Sequence, residues 1–398
     1  MGIHAYASSM AIFPLSIRAA ELTLQKLTAQ ARTFHNTRNT RSSSSTENAR
    51  GHRARILPIC LFFLLPAAHA IAASCDPNAL DGQAVPQEPR ARAEELSGRT
   101  ADCLAEGNLK AAEALQVEAV GILKTSVPQI DLDLAAALNL LGEVYRRSGR
   151  LHEAESVLAQ ALRLHDRSQE RRGAALAAVL SNLGSTFYSQ RKYEQAEKMF
   201  GRAVSIWETC CSAEPLGLAH ILNNMAAAKV AAVRYGQAAA LYARAITLYE
   251  QTLGADHPIL AGALNNFATL HIERGDDAKA EELYKRAAAI WERAGSPAHP
   301  DHASVLGNYG ALLAKRRRYE EADRLYRQVL AILRSCCGEQ HSTFSRRLAD
   351  HAHVLGRLGR KEEASSTAAR AASILEDRSR ADSDSLTVDV QSLRRKQE

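Results

Sequence analysis

The apolar positions of this chain fall into two stripes that return together every 42 residues. An alanine marks the period at Ala112, Ala154, Ala196, Ala238, Ala280, Ala322 and Ala364, with no insertion between markers. With each marker taken as position 20 of a unit, the units begin near 93, 135, 177, 219, 261, 303 and 345. Positions 4, 7, 8 and 11 supply one stripe and positions 20, 24, 27 and 31 the other, each at the spacing of three and four that shares one helical face. Turn residues and charges separate the stripes at Ser148 and Gly149, Gln190 to Lys192, Gly275 to Asp277, and Lys315 to Arg318. The pattern predicts two antiparallel helices per unit, seven times over.

The register also sorts side chains by size. Position 8 is small throughout, with Thr100, Gly142, Gly184, Ala226, Ala268, Gly310 and Ala352. Position 27 is alanine except at Val329. Position 24 is bulky in the middle of the array, with Leu158, Phe200, Tyr242, Tyr284 and Tyr326, and gives way to Gln116 and Ala368 at its ends. Small residues let two helices approach and the bulky residue fills the space between them. No hairpin buries its stripes alone, so each depends on its neighbour, and the plainer ends suit capping units. Trp207, Tyr249 and Trp291 share position 31, which continues the apolar stripe, so they are expected to pack against the following hairpin.

Leu141, Gly142, Tyr145, Ala154, Leu158 and Ala161, repeated as Leu183, Gly184, Phe187, Ala196, Phe200 and Ala203, resemble the tetratricopeptide repeat. That family's unit is about 34 residues, so 42 implies the same hairpin with longer helices or connections. Gly254, Asp256, His257 and Pro258, followed by Leu264, Asn265, Asn266, Phe267 and Ala268, are similar to the long repeats of kinesin light chains. The resemblance implies an all-α fold, a right-handed superhelical solenoid of about seven antiparallel hairpins spanning 93–378. Its concave groove would be lined by the first helix of each unit, and a polar tail would occupy 379–398.

The formal charge of +6 invites a nucleic-acid reading, which its distribution removes. Residues 1–70 hold eight Lys or Arg against two acids, and the rest of the chain carries 42 of each sign. No basic stripe remains for phosphates, so nucleic acid is not an expected partner. The leader carries a different message. His52 to Arg55 is basic, Ile56 to Leu65 is apolar, and Ala68-His69-Ala70 and Ala70-Ile71-Ala72 offer small residues for cleavage, so 52–72 reads as a signal peptide. The run is short for a membrane span, which needs about 20 apolar residues. Export to an extracytoplasmic compartment, periplasmic or secreted, is the expectation. An uncleaved signal or lipidation at Cys75 would tether the protein to a membrane. Residues 1–51 read as a disordered leader or a mis-assigned start, and 73–92, with Pro77, Pro86 and Pro89, as a linker.

Cys75 and Cys103 form a plausible disulfide between linker and first hairpin. The adjacent pairs Cys210-Cys211 and Cys336-Cys337 occupy positions 34 and 35 three units apart, too far to reach each other in a stack. Each pair is open to three states: reduced, closed as a vicinal ring, or bridging two chains. Their spacing, with His341 nearby, matches no common zinc pattern, and no metal or cofactor is expected. Phosphate loops, nucleophile elbows and paired His-Glu motifs are missing, so no enzyme activity is expected.

The binding candidates follow from the register. Position 6 reads Asn182, Asn224, Asn266 and Asn308, position 5 adds Asn223 and Asn265, and the second unit has Asn139. Burial of an unpartnered amide is costly, which argues for an exposed row in the groove, where amides bond the backbone of an extended peptide. The light-chain resemblance implies the same use. The alternative is that they bond neighbouring units and set the pitch. Arg146, Tyr188 and Lys315, with Glu143, Arg147, His220, Glu273, His353 and Arg357, would flank the row and select the ligand. The expected function is an exported, non-catalytic scaffold that holds a protein or peptide segment. A cytosolic or membrane-anchored adaptor like kinesin light chains, and a redox or metal protein using the cysteine pairs, are the alternatives.

Overall fold

A computed structural model describes residues 88–126, 131–168, 173–295, 298–339 and 342–386. Every regular element among the described residues is an α-helix. The chain divides after Cys211 into two compact units. The first holds α1 (Pro89–Glu106), α2 (Leu109–Thr125), α3 (Asp131–Arg147), α4 (Leu151–Arg167), α5 (Ala174–Ser189) and α6 (Tyr193–Cys210). The second holds α7 (Pro215–Ala231), α8 (Tyr235–Leu253), α9 (Pro258–Glu273), α10 (Asp277–Arg293), α11 (Pro300–Lys315), α12 (Tyr319–Cys337), α13 (Ser342–Arg357) and α14 (Lys361–Leu386). Each odd helix packs against the even one that follows it, and within each unit successive hairpins stack.

Local chemistry explains the hairpin ends. Pro89, Pro215, Pro258 and Pro300 open α1, α7, α9 and α11, where a missing N–H costs nothing. His257 and His299 precede two of them and accept, through Nδ1, the N–H of Ile259 and Asp301. The turn inside every hairpin pivots on position 15, which is left-handed in all seven units: Gly107, Gly149, Arg191, Val233, Gly275, Arg317 and Gly359, with φ between 61° and 79°. Four are glycine, which takes that conformation freely; Arg191, Val233 and Arg317 adopt it against their side chains.

The size pattern has its reason in the contact between positions 8 and 24. A methyl group on Gly142 would lie 2.5 Å from Leu158, and one on Gly184 would lie 2.9 Å from Phe200. Phe200, Tyr242 and Tyr284 are fully buried behind this contact. Trp207, Tyr249 and Trp291 are buried as well. Trp291 stacks on His299 at 4.6 Å, at the start of the next hairpin, and the Tyr249 hydroxyl lies 2.8 Å from His220 Nδ1.

Helix boundaries run wider than the pattern suggests. α1 begins at Pro89, inside the expected linker, because proline suits the first turn. α14 runs on to Leu386, past the expected end of the repeats at 378, through a segment with no glycine or proline to stop it. The leader 1–51, the signal segment 52–72, Cys75 and residues 387–398 lie outside the described residues.

Cys210 and Cys211 are bonded to each other, a vicinal ring where α6 ends. Cys103, buried in α1, and Cys336, near the end of α12, are also disulfide-bonded.

Candidate functional site

The odd helices carry the asparagines, and the amide side chains are buried rather than displayed. Asn223, Asn224 and Asn266 are fully buried, and Asn182, Asn265 and Asn308 nearly so; Asn139 alone is half-buried. This corrects the expectation of an exposed row, and the reason is that the amides satisfy one another. In the second unit Arg347 Nη2 donates to Asn308 Oδ1 at 3.0 Å, and Asn308 Nδ2 donates to Asn265 Oδ1 at 3.0 Å. Asn265 then donates to Asn266 at 3.4 Å, Asn266 to Asn223 at 3.4 Å, and Asn223 to Asn224 at 3.1 Å. The result is a one-directional relay through α13, α11, α9 and α7. In such a chain each bond polarises the next. The first unit has one such rung, from Asn182 Nδ2 to Asn139 Oδ1 at 3.0 Å.

Arg347 completes the relay by substitution. It donates to the position-6 amide of the unit before, the role that Asn223 and Asn265 fill within their own units. Gly307 stands where those asparagines stand, and a methyl group there would lie 2.6 Å from the guanidinium. Glycine at 307 and arginine at 347 therefore belong together.

A second ladder, absent from the sequence reading, ties position 21 of one unit to position 16 of the next. Arg150 reaches Glu113 at 2.5 Å, Lys192 reaches Glu155 at 3.1 Å, Arg318 reaches Glu281 at 2.8 Å and Arg360 reaches Asp323 at 3.1 Å. Glu281 also accepts from Lys285, Arg316 and the Tyr309 hydroxyl. Burial works to raise its pKa, but the hydrogen bonds and charges of Lys285 and Arg318 outweigh burial and hold it down at about 2. Between the fourth and fifth units both partners change, to Ala239 and Asp276, and Asp276 instead caps α10 by accepting from the Lys279 N–H. Positions 16 and 21, read as a pair along the sequence, carry the signal.

The expected selecting residues separate in the structure. Arg146 and Arg147 both close on the buried Glu143, at 2.8 and 2.7 Å, so that Arg146 is committed to the fold. Burial alone would raise the Glu143 pKa, yet the two arginines hold it below its usual range. Tyr188 is half-buried 5.8 Å from Tyr193, its phenol pushed up by burial. His220 is buried, and burial together with the His257 charge lowers it to about 4. Arg357 lies over the Tyr319 ring. Lys315 and His353 do converge: with Ala311, Ala314, Tyr326, Ala349 and Asp350 they line a cleft of about 370 Å³ between α11 and α13. Among the described residues no three His, Cys, Asp or Glu side chains gather as a metal site, and no helix is long and apolar enough to cross a membrane.

Stacked two-helix units with a shared register, small residues at 8, 20 and 27 and a bulky one at 24 define a helical-hairpin repeat protein. The tetratricopeptide repeat pattern matches residues 133–209, 217–293, 263–335 and 301–377, more than half of the sequence, and the chain belongs to the tetratricopeptide repeat family. Among solved structures it is similar to aspartyl phosphate phosphatase F from Bacillus subtilis, at 18% identity over 72% of this chain and 70% of that one, with a TM-score of 0.52. It is also similar to a Rap protein complexed with Competence and Sporulation Factor, at 17% identity over 72% and 75%, with a TM-score of 0.53. BtubC (BKLC) from P. vanneervenii is 20% identical over 59% and 93%, with a TM-score of 0.48. These likenesses concern the fold alone. No curated protein matches the sequence.

Proposed function

We propose that the protein is an exported, non-catalytic scaffold that holds an extended protein or peptide segment along the face formed by the odd helices of its second unit. The observation that carries this reading is the amide relay, which fixes the spacing of four successive odd helices in the second unit without using their outward side chains. In this reading the asparagines are chiefly the frame, and a ligand on the second unit meets exposed groups beside them, Lys315 and His353 at the α11–α13 cleft. The Rap protein's complex with Competence and Sporulation Factor is a precedent for this fold holding a partner. Export is supported by the apolar run at 56–65 and by the disulfide-bonded state of Cys103, Cys210, Cys211 and Cys336, which suits an oxidising compartment.

The test is selection of random peptides of about twelve residues on the full-length protein, followed by photo-crosslinking and mass spectrometry of the bound site. Crosslinks concentrated on α7, α9, α11 and α13 are expected; crosslinks confined to the even helices, or no enriched peptide, would overturn the groove. Amino-terminal sequencing of the protein from its own cells checks export independently, since a first residue ahead of His52 rules out cleavage.

A further inference from the structure

The cleft between α11 and α13 coincides with three departures from the register. Position 12 is Arg146, Tyr188, Val230 and Ile272 in the second to fifth units and becomes Ala314 in the sixth. Position 5 is Asn223 and Asn265 in the fourth and fifth units, Gly307 in the sixth, where Arg347 fills the space, and Ala349 in the seventh; position 6, asparagine from the third unit to the sixth, becomes Asp350. The first two changes remove side-chain volume and the third turns an amide into an acceptor-only group. Ala311, Ala314 and Ala349 make much of the lining apolar, and the buried Tyr326 also lines the cleft.

The polar rim is arranged by helix. Lys315, a donor, stands on α11, while Asp350, an acceptor, and His353 stand on α13. Both charges are already met: Lys315 lies 2.7 Å from Asp277, and Asp350 lies 3.2 Å from Arg347. An anchor of either sign would therefore find no uncompensated opposite charge, whereas alanine walls favour an apolar one. A donor on one side and an acceptor on the other are complementary to the C=O and N–H of an extended backbone, which presents both around each side chain.

We infer that this cleft is the anchoring pocket of the groove: it takes one aliphatic side chain of an extended peptide, with the adjoining N–H accepted by Asp350 and the C=O bonded by Lys315 or His353. The inference rests on the peptide-holding reading above and adds to it a place and a ligand class. It makes the selectivity local, since at the other seams of the second unit the larger Val230 and Ile272 stand at the position of Ala314.

The same random peptide library, panned on the full-length protein and on Ala314→Ile, tests it. Isoleucine is what the fifth unit carries at this position, and Ala349→Asn, copied from Asn265, is the second variant in case the first perturbs folding; circular dichroism and thermal melts identify the folded ones. Peptides enriched on the unaltered protein should share one position held by Leu, Ile, Val or Met. Their affinity should fall at least tenfold on the filled variant, and re-panning on that variant should lose the aliphatic position. Asp350→Asn should keep the aliphatic preference while weakening binding by a smaller factor. If the enriched peptides bind Ala314→Ile and Ala349→Asn unchanged, or select a charged or aromatic residue at that position, the pocket assignment fails while the groove stands. If nothing is enriched on the unaltered protein, the groove reading fails and the pocket with it.

Discussion

The two units are built from one repeat and are held together differently. In the first, the hairpin seams carry ionic rungs at Glu113–Arg150 and Glu155–Lys192, with one amide bond from Asn182 to a half-buried Asn139. The second has ionic rungs as well, at Glu281–Arg318 and Asp323–Arg360, but none where Ala239 and Asp276 stand, and a buried relay of five bonds runs from Arg347 to Asn224. The doubled asparagines, 223 with 224 and 265 with 266, belong to the two units that flank this missing rung. An exposed ion pair contributes little, about 0–1 kcal/mol, and is screened by salt; a buried, fully partnered amide is costly to disturb from either side. One repeat thus offers two ways to join hairpins, and the second unit adds to the ionic rungs the one that is sensitive to its own completeness.

Acid should separate the units most strongly. His220, buried in α7, has its pKa lowered to about 4 from 6.5 by burial and by His257, so the unfolded chain takes up the proton first. Its contribution is fully present above about pH 6.5 and is lost as pH falls towards 4, about 3 kcal/mol at ~1.4 kcal/mol per unit. His257 and His271, also lowered by burial, act in the same direction. Among its described residues the first unit has one lowered histidine, half-buried His165, and otherwise depends on lowered carboxyls such as Glu143, whose contribution is lost only below about pH 4.5. The chain's two tryptophans fall one in each unit, Trp207 in α6 and Trp291 in α10. Urea unfolding followed by Trp291 in Trp207→Phe should lose most of its midpoint between pH 7 and 4, and unfolding followed by Trp207 in Trp291→Phe much less. Equal losses would break the contrast.

Next in size is the relay itself. Asn266→Ala removes an acceptor for Asn265 and a donor for Asn223, both buried, and should cost about 2–3 kcal/mol. Asn182→Ala leaves its half-buried partner Asn139 able to turn to water and should cost about 1 kcal/mol. Urea midpoints of the two variants, read with the same tryptophan pair, measure the difference.

These asparagines also show where sequence reading ran out. The hairpins, their register and the close contact of Gly142 with Leu158 were legible because each depends on apolar spacing within about twenty residues of chain. The cost of burying a lone amide points to exposure, whereas the partner that removes the cost lies one unit on, 43 residues along for Asn223 and Asn266. The ionic ladder was missed for the same reason, its partners being 37 residues apart in different units. The left-handed turn was legible at Gly149 and Gly275 but not at Arg191, Val233 or Arg317, where the surrounding hairpin imposes a conformation the residue disfavours. The cleft is visible only as absent volume, with Ala314 and Ala349 where the fourth and fifth units carry larger groups.

That imposed turn gives a smaller effect. Val233 is β-branched, 66% exposed and held at φ 62°, so Val233→Gly should raise stability by about 1 kcal/mol with nothing lost from the core. Arg191→Gly, at the same place in the first unit, should gain about half as much, since arginine is unbranched at Cβ. Thermal melts of both variants check the order, and a loss at Val233 would mean that its side chain makes contacts that outweigh the strain.

The smallest effect is the most direct test of why the units differ. Restoring the missing rung requires Ala239→Glu and Asp276→Arg together. Asp276→Arg alone removes the acceptor for the Lys279 N–H and should cost about 1 kcal/mol, the usual worth of an N-cap. Ala239→Glu alone places a carboxylate toward Asp276 and should be neutral or slightly unfavourable. The double variant should recover about 0.5 kcal/mol relative to the sum of the two, the coupling expected of a partly exposed pair, and that recovery should shrink as salt rises. A coupling of this size would mean that Ala239 and Asp276 replaced a working rung and that the doubled asparagines took over its seam. A coupling of zero would mean that the helices there stand too far apart for the pair, so that the amide relay was needed from the start.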